Sequence, residues 1–168
     1  ATARGIPVGN TPGVLTETTA EMAVALLFAA ARRVSESEHF LREGKFDGWL
    51  PDLFLGKRLW GGCLGIVGAG RIGQSFARMV APGHDMNVIY QDIAPNEALE
   101  TFFAETNRAR AALGERPLRC EFVADVDDLL PRADVVSLHV PLTDDTRHLM
   151  NTRRLGLMKD DAILVNTS

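Results

Sequence analysis

Two patterns of apolar and polar positions divide this chain. From residue 63 onward, short apolar runs alternate with segments of helical period. Before it lie one long stretch rich in Ala and Leu and then irregular sequence. The apolar runs predict strands over 63–67 (CLGIV), 87–91 (NVIYQ), 121–124 (EFVA), 134–140 (DVVSLHV) and 162–166 (AILVN). Between them the spacing predicts helices over 71–80, stopped by Pro82-Gly83, over 126–130 and over 151–158. Short buried strands separated by helices indicate βαβ units. The expected fold class is therefore α/β, a doubly wound parallel sheet of Rossmann type. Residues 93–120 exceed what a plain crossover needs and carry a helical pattern over 96–113, so an enlarged crossover is expected there.

The first sixty residues read differently. Residues 5–14 (GIPVGNTPGV) are an extended approach segment. Thr18 and Glu21 fit a capping box at the head of a helix over 17–33, whose end carries Arg32 and Arg33 against the negative pole. That helix is apolar around nearly its whole circumference, which predicts burial on more than one side. A second, amphipathic helix is expected over 35–42. Residues 44–62 are irregular and hold both tryptophans, Trp49 and Trp60, read as packing anchors. The expected division is 1–60, an approach segment with an interdomain helix and connecting loop, and 61–168, a Rossmann domain.

Composition narrows the function classes. The chain has 168 residues, 46% hydrophobic and 24% charged, which is ordinary for a globular domain. A net charge of -4 forces no basic surface, so neither nucleic acid nor an anionic membrane is an expected partner. The longest apolar run, 22–31, falls short of the roughly 20 residues a bilayer span needs. The two cysteines, Cys63 and Cys120, make no disulfide framework and lack metal-ligand spacing, so reduced thiols and no metal site are expected. The chain starts with Ala1 in mid-pattern, and it is expected to be an excerpt.

One motif carries chemistry. Gly68-Ala-Gly70-Arg-Ile-Gly73 is a G-x-G-x-x-G that follows a strand, opens a helix and precedes an acidic residue, Asp92, at the end of the next strand. Gly68 suits the tight turn, Gly70 lets bare backbone approach a diphosphate, and Gly73 lets helix and strand pack closely. The helix N-terminus then faces the phosphates, with Arg71 placed to add a charge. Asp92 is placed to accept both ribose hydroxyls of an adenosine and would repel a 2'-phosphate. No Arg follows it, so NAD is expected over NADP. A flavin or S-adenosylmethionine on a similar turn is the competing reading. Two further stretches fall at carboxyl ends of strands. In 138–146, Val140 and Pro141 offer an apolar wall for adenine, and Thr146 a hydroxyl nearer the middle of the cofactor. The stretch 165–168 falls on the same crevice edge, where its polar side chains are placed to meet the nicotinamide half. Other polar residues are read as structural: His139 as a packed strand residue, His39, His84 and His148 as solvated surface, and Asp125, Asp127 and Asp128 as flanking a short helix. No catalytic residue is assigned within the chain.

These motifs, together with Asn10-Thr-Pro-Gly-Val-Leu-Thr-Glu-Thr-Thr-Ala-Glu21 and Ile163-Leu-Val-Asn-Thr-Ser168, resemble the D-isomer-specific 2-hydroxyacid dehydrogenase family along nearly the whole chain. Phe46-Asp-Gly-Trp-Leu-Pro51 and the enlarged crossover look most like the plant and algal hydroxypyruvate reductases (glycerate dehydrogenases) within it. The resemblance implies NADH-dependent reduction of a small 2-oxo acid, hydroxypyruvate or glyoxylate. It places Arg71 and Ile72 at the pyrophosphate, Asp92 at the ribose, Val140 and Pro141 at the adenine, and Thr167 and Ser168 at the nicotinamide. It also implies a homodimer with the first long helix in its interface, and, by analogy with plants, a photorespiratory, peroxisomal setting; otherwise the cytoplasm is expected. The family's substrate-binding Arg would follow Ser168, its Glu and His would come later, and the substrate domain and sixth strand are absent, so the fragment alone is expected to be inactive. The alternatives are a non-catalytic NAD-sensing interaction protein of the same family, or another of its dehydrogenases, for formate or phosphoglycerate.

Overall fold

A computed structural model describes residues 1–168. Five parallel strands form one sheet: β1 (Cys63–Val67), β2 (Asn87–Gln91), β3 (Cys120–Val123), β4 (Val135–Leu138) and β5 (Ile163–Asn166), in the order β3-β2-β1-β4-β5. The expected α/β class is met. β4 is shorter than the expected 134–140 and β5 starts one residue late, while β3 keeps its expected length but is shifted one residue toward the N-terminus. β4 pairs with β1 only from Leu64↔Val135 to Val67↔Leu138, so its ladder stops where β1 turns away. The chain order reverses between β1 and β4, and the carboxyl ends of these two strands therefore open onto a crevice.

The helices are α1 (Thr16–Ala31), α2 (Val34–Arg42), α3 (Arg71–Val80), α4 (Glu97–Ala112), α5 (Val126–Leu129) and α6 (Thr152–Leu155). Alternating side chains of the sheet feed two cores. Leu64, Ile66, Val88, Tyr90, Val135 and Val165 pack toward α1, α3 and α4. Val67, Ile89, Val136 and Leu138 pack toward α5 and the segment after it. Asp125 caps α5 by accepting the Asp127 N–H at 2.9 Å, and Asp127 holds Arg154 at 2.7 Å, so these carboxylates are structural as expected.

Several local expectations are corrected. The capping box does not form: α1 starts at Thr16 with Leu15 as its cap, and the Thr18 hydroxyl instead donates back to the Leu15 carbonyl at 3.3 Å. Nor is α1 buried all round. Ala20, Ala23, Leu27 and Ala31 form one buried stripe against α3 and β5, while Met22 and Leu26 are 56% and 44% exposed. Small alanines on that stripe permit close helix approach, and they join α1 to the same core as the sheet. The helix ends at Ala31, before the arginines. Arg33 takes a left-handed conformation (φ 53°) and pairs with Glu36, turning the chain into α2. α6 covers only half of the predicted 151–158 helix. The tryptophans are not packing anchors, since Trp49 is 81% and Trp60 57% exposed. That task falls to Phe54, which meets the Phe40 ring edge-on at 5.2 Å and lies under the Arg33 guanidinium. His84 is half-buried rather than solvated, with Nδ1 2.9 Å from the Val80 carbonyl and its ring against Phe28. His39 is exposed but has an acid within reach, Glu43 at 3.2 Å.

The enlarged crossover folds as one long helix. Asn96 caps α4 by accepting the Leu99 N–H at 3.0 Å. Asn107 closes the return by donating to the Leu118 carbonyl at 2.9 Å and accepting its N–H at 2.8 Å. Arg110 and Arg116 both reach Asp85, which ties the far end of α4 to the start of β2.

Candidate cofactor site

The glycine turn between β1 and α3 forms one lip of the crevice, and each glycine has its own structural reason. Gly68 sits at φ +89°, and a Cβ there would stand 2.8 Å from Val140 Cγ1 and 2.9 Å from the His139 carbonyl. A Cβ at Gly73 would drive into the Gly68 carbonyl oxygen and come within 3.0 Å of Ile66 Cγ2. Gly70 is different: nothing lies within 4 Å of where its Cβ would be, so the bare backbone faces open space. The α3 ladder opens with the Gln74 N–H donating to the Gly70 carbonyl at 2.9 Å. The N–H groups of Arg71, Ile72 and Gly73 are left without an intrahelical partner, and they carry the positive end of the helix dipole.

The other parts converge on the same edge. The Gly68 N–H donates to the Gln91 carbonyl at 2.9 Å, which sets Asp92 one residue from the turn. Asp92 is half-exposed, and its Oδ1 accepts the Ile93 N–H at 2.7 Å, leaving the second oxygen free. A cleft of about 570 Å³ is lined by Gly70, Arg71, Ile72, Val140, Pro141 and Ser168. It is also lined by Thr11, Pro12 and Gly13 of the approach segment and by Leu15 and Thr16 at the start of α1, a contribution the sequence reading missed because nothing local marks that segment as a wall. An adjoining hollow of about 290 Å³ is lined by Val140, Pro141, Thr146, His148, Asn166 and Ser168 among others.

Not every hydroxyl at this edge is free. Thr146 Oγ1 donates to the Pro141 carbonyl at 2.5 Å and accepts the Thr143 N–H at 2.8 Å, so it closes its own loop. Ser168 Oγ donates to the Leu138 carbonyl at 3.1 Å. Thr167 Oγ1 is buried with no partner in the chain, as is Nδ1 of His139, the residue after β4. His139 Nε2 lies 2.9 Å from Ser137 Oγ, and its ring packs on Phe76. Burial lowers its pKa from 6.5 to about 4, so the imidazole is neutral at pH 7 and structural, as expected. The thiols of Cys63 and Cys120 are pushed up to about 11 and about 12, chiefly by burial.

The geometry fits an adenine dinucleotide: unpartnered backbone N–H groups at a helix start, room beside Gly70, a carboxylate at the next strand end and an apolar wall opposite. Comparison with known proteins agrees. The family model for the D-isomer specific 2-hydroxyacid dehydrogenase NAD binding domain matches residues 24–168. The chain belongs to the D-isomer specific 2-hydroxyacid dehydrogenase family. It is 49% identical over 164 residues to a glycerate dehydrogenase of Cucumis sativus, covering 98% of this chain and 43% of that protein. It is 46% identical over 172 residues to a glyoxylate reductase of Thermococcus litoralis, covering 100% of this chain and 47% of that protein. Among solved structures it superimposes on the D-lactate dehydrogenase of Aquifex aeolicus, complexed with NAD and lactic acid, with a TM-score of 0.77 and 31% identity, over 99% of this chain and 44% of that one. The chain thus spans about half the length of the dehydrogenases it matches. In this family's cofactor domain NAD is the dinucleotide bound.

Proposed function

We propose that the intact protein reduces a small 2-oxo acid, hydroxypyruvate or glyoxylate, with NADH, yielding D-glycerate or glycolate. In this reading the dinucleotide supplies a hydride to the carbonyl carbon, and a proton donor outside residues 1–168 protonates the oxygen. The chain's own residues bind and orient. Gly68, Gly70 and Gly73 shape the turn, and the N–H groups of Gly70, Arg71 and Ile72 face the diphosphate with the Arg71 guanidinium beside them. Asp92 takes the adenosine ribose, Val140 and Pro141 flank the adenine, Thr146 lies nearer the middle of the cofactor, and Thr167 and Ser168 border the nicotinamide half. Residues 1–168 alone do not turn substrate over in this reading. The exposed Met22–Leu26 face of α1 forms part of a homodimer contact.

The observation that carries this reading is a bare helix start at 70–73 beside an open cleft, with Asp92 directly after the strand residue whose carbonyl holds the glycine turn, in a chain of about equal identity to a glycerate dehydrogenase and a glyoxylate reductase. The test is NADH oxidation by the full-length protein with hydroxypyruvate and with glyoxylate. Turnover with either, and slower turnover with NADPH, is the expected result. No rate with any 2-oxo acid would leave the NAD-sensing alternative.

A further inference from the structure

The carbonyl of Ala69, in the middle of the glycine turn, accepts two side-chain amides from two different helices. Asn96 Nδ2, at the cap of α4, donates at 2.7 Å. Gln74 Nε2, in the first turn of α3, donates at 3.1 Å. Both amides have their orientation fixed from the other side. Asn96 Oδ1 is occupied by the Leu99 N–H. Gln74 Oε1 faces Arg78, whose guanidinium also reaches the Ala98 carbonyl at 3.3 Å and lies 4.8 Å over the Phe102 ring. Neither oxygen can swap places with its nitrogen without losing those bonds.

A carbonyl and the following N–H share one trans peptide plane and point in opposite directions. Holding the Ala69 oxygen toward α4 therefore aims the Gly70 N–H the other way. Ala69 is fully buried, while Gly70 lines the cleft, so that other way is toward the crevice. Were the carbonyl free to rotate, its partial negative charge would replace the Gly70 N–H in front of the diphosphate. The same clamp fastens the turn that carries Asp92. The Asn96 N–H donates to Tyr90 Oη at 2.8 Å, and Tyr90 in turn binds Glu100, so the loop from Asp92 to Asn96 is held at its far end by groups tied to the glycine turn.

We infer that Asn96 and Gln74 are positioning residues for the dinucleotide, acting together through the Ala69 carbonyl on the Gly70 N–H. This rests on the reading of the crevice as the NAD site. Because the two donors share one acceptor, either can hold it alone, and the effect of losing both exceeds the product of the single losses.

The test uses Asn96→Ser, Gln74→Leu and the double variant of the full-length protein. Ser remains a good helix cap but is too short to reach Ala69, and Leu keeps the helix. Dissociation constants for NADH and for ADP-ribose are measured by titration calorimetry, alongside melting temperature and steady-state kinetics. Each single variant is expected to weaken both ligands about threefold, and the double variant about thirtyfold or more, given that one hydrogen bond is worth roughly a fivefold change. KM for NADH rises with them, kcat at saturating NADH stays level, and the melting temperature holds. A purely structural role would lower melting temperature and leave the affinities alone. Unchanged affinities, or a double variant equal to the product of the singles, overturn the inference. A wild-type protein that binds neither ligand overturns the NAD reading itself, and this inference with it.

Discussion

Two glycines three residues apart are predicted to respond in opposite ways to a side chain. At Gly73 an added Cβ enters the Gly68 carbonyl oxygen and presses on Ile66 Cγ2 at 3.0 Å, and both neighbours belong to the buried sheet edge. α3 must lift, although Phe76, Ala77 and Val80 on it are fully buried. Overpacking of this kind costs about 1–3 kcal/mol. For a domain of this size that is a drop of roughly 2–12 °C in melting temperature for Gly73→Ala. At Gly70 the backbone (φ -67°, ψ -167°) is extended, a conformation open to any residue, and no atom lies within 4 Å of the new Cβ. Gly70→Val therefore costs the fold only a weakened helix cap, about 1 kcal/mol or less. Its branched side chain stands in the cleft beside the first free N–H groups of α3. Losing two charge-assisted bonds to the diphosphate, about 3 kcal/mol together, weakens NADH on the order of a hundredfold. Thermal melts of both variants paired with NADH titrations of Gly70→Val check this. A Gly73→Ala protein that melts like the wild type, or a Gly70→Val protein that binds NADH like the wild type, would refute the reasoning.

Other predictions follow from the same geometry. Asp92→Ala should weaken NADH by about tenfold and narrow the preference over NADPH, and calorimetry showing neither change would mean that Asp92 does not face the ribose. His139 stays neutral in the fold down to about pH 4 but protonates near 6.5 once unfolded, so its contribution to stability is full above pH 6.5 and is lost as pH falls toward 4. The loss is at most about 3 kcal/mol, and urea midpoints between those pH values should decline less steeply for His139→Asn; parallel curves would count against it. Cys63 and Cys120, with thiols held near 11 and 12, should react slowly with a disulfide reagent at pH 7 and rapidly after denaturation. Prompt labelling of the native protein would contradict their burial.

The sheet was legible because its strands obey local rules. Cys63–Val67 and Asn87–Gln91 are central, flanked on both sides, and their apolar runs match their boundaries residue for residue. Where the sequence overran at β4, the limit is set by a neighbour. A strand cannot outlast the ladder beside it, and the periodicity of DVVSLHV contains no information about where β1 turns. α1 failed in a different way. Its composition reads as apolar all round, yet it meets the rest of this chain through the Ala20, Ala23, Leu27 and Ala31 stripe flanked by Val24 and Phe28, while Met22 and Leu26 stay exposed. The capping box failed because α1 begins two residues before Thr18, which leaves that hydroxyl inside the first turn, where the nearest acceptor is the carbonyl three residues back.

The site divides along the same line. The G-x-G-x-x-G fingerprint is local because the physics it records is local: a positive φ at Gly68, a close approach at Gly73, open space at Gly70. What keeps that turn facing the crevice is not local. Asn96 lies 27 residues from Ala69, at the start of the helical pattern expected over 96–113, and it caps α4. Its second hydrogen bond exists only because the enlarged crossover starts its helix beside the glycine turn, and no spacing rule predicts that contact. Nothing in the local spacing of α3 singles out Gln74, or Arg78, which faces its amide oxygen. A fingerprint glycine records where backbone must approach a ligand. The residues that hold the backbone in that attitude are dictated by whichever element packs behind it, so among relatives whose crossovers differ in length they should differ, while the glycines and the acidic residue after β2 stay in place.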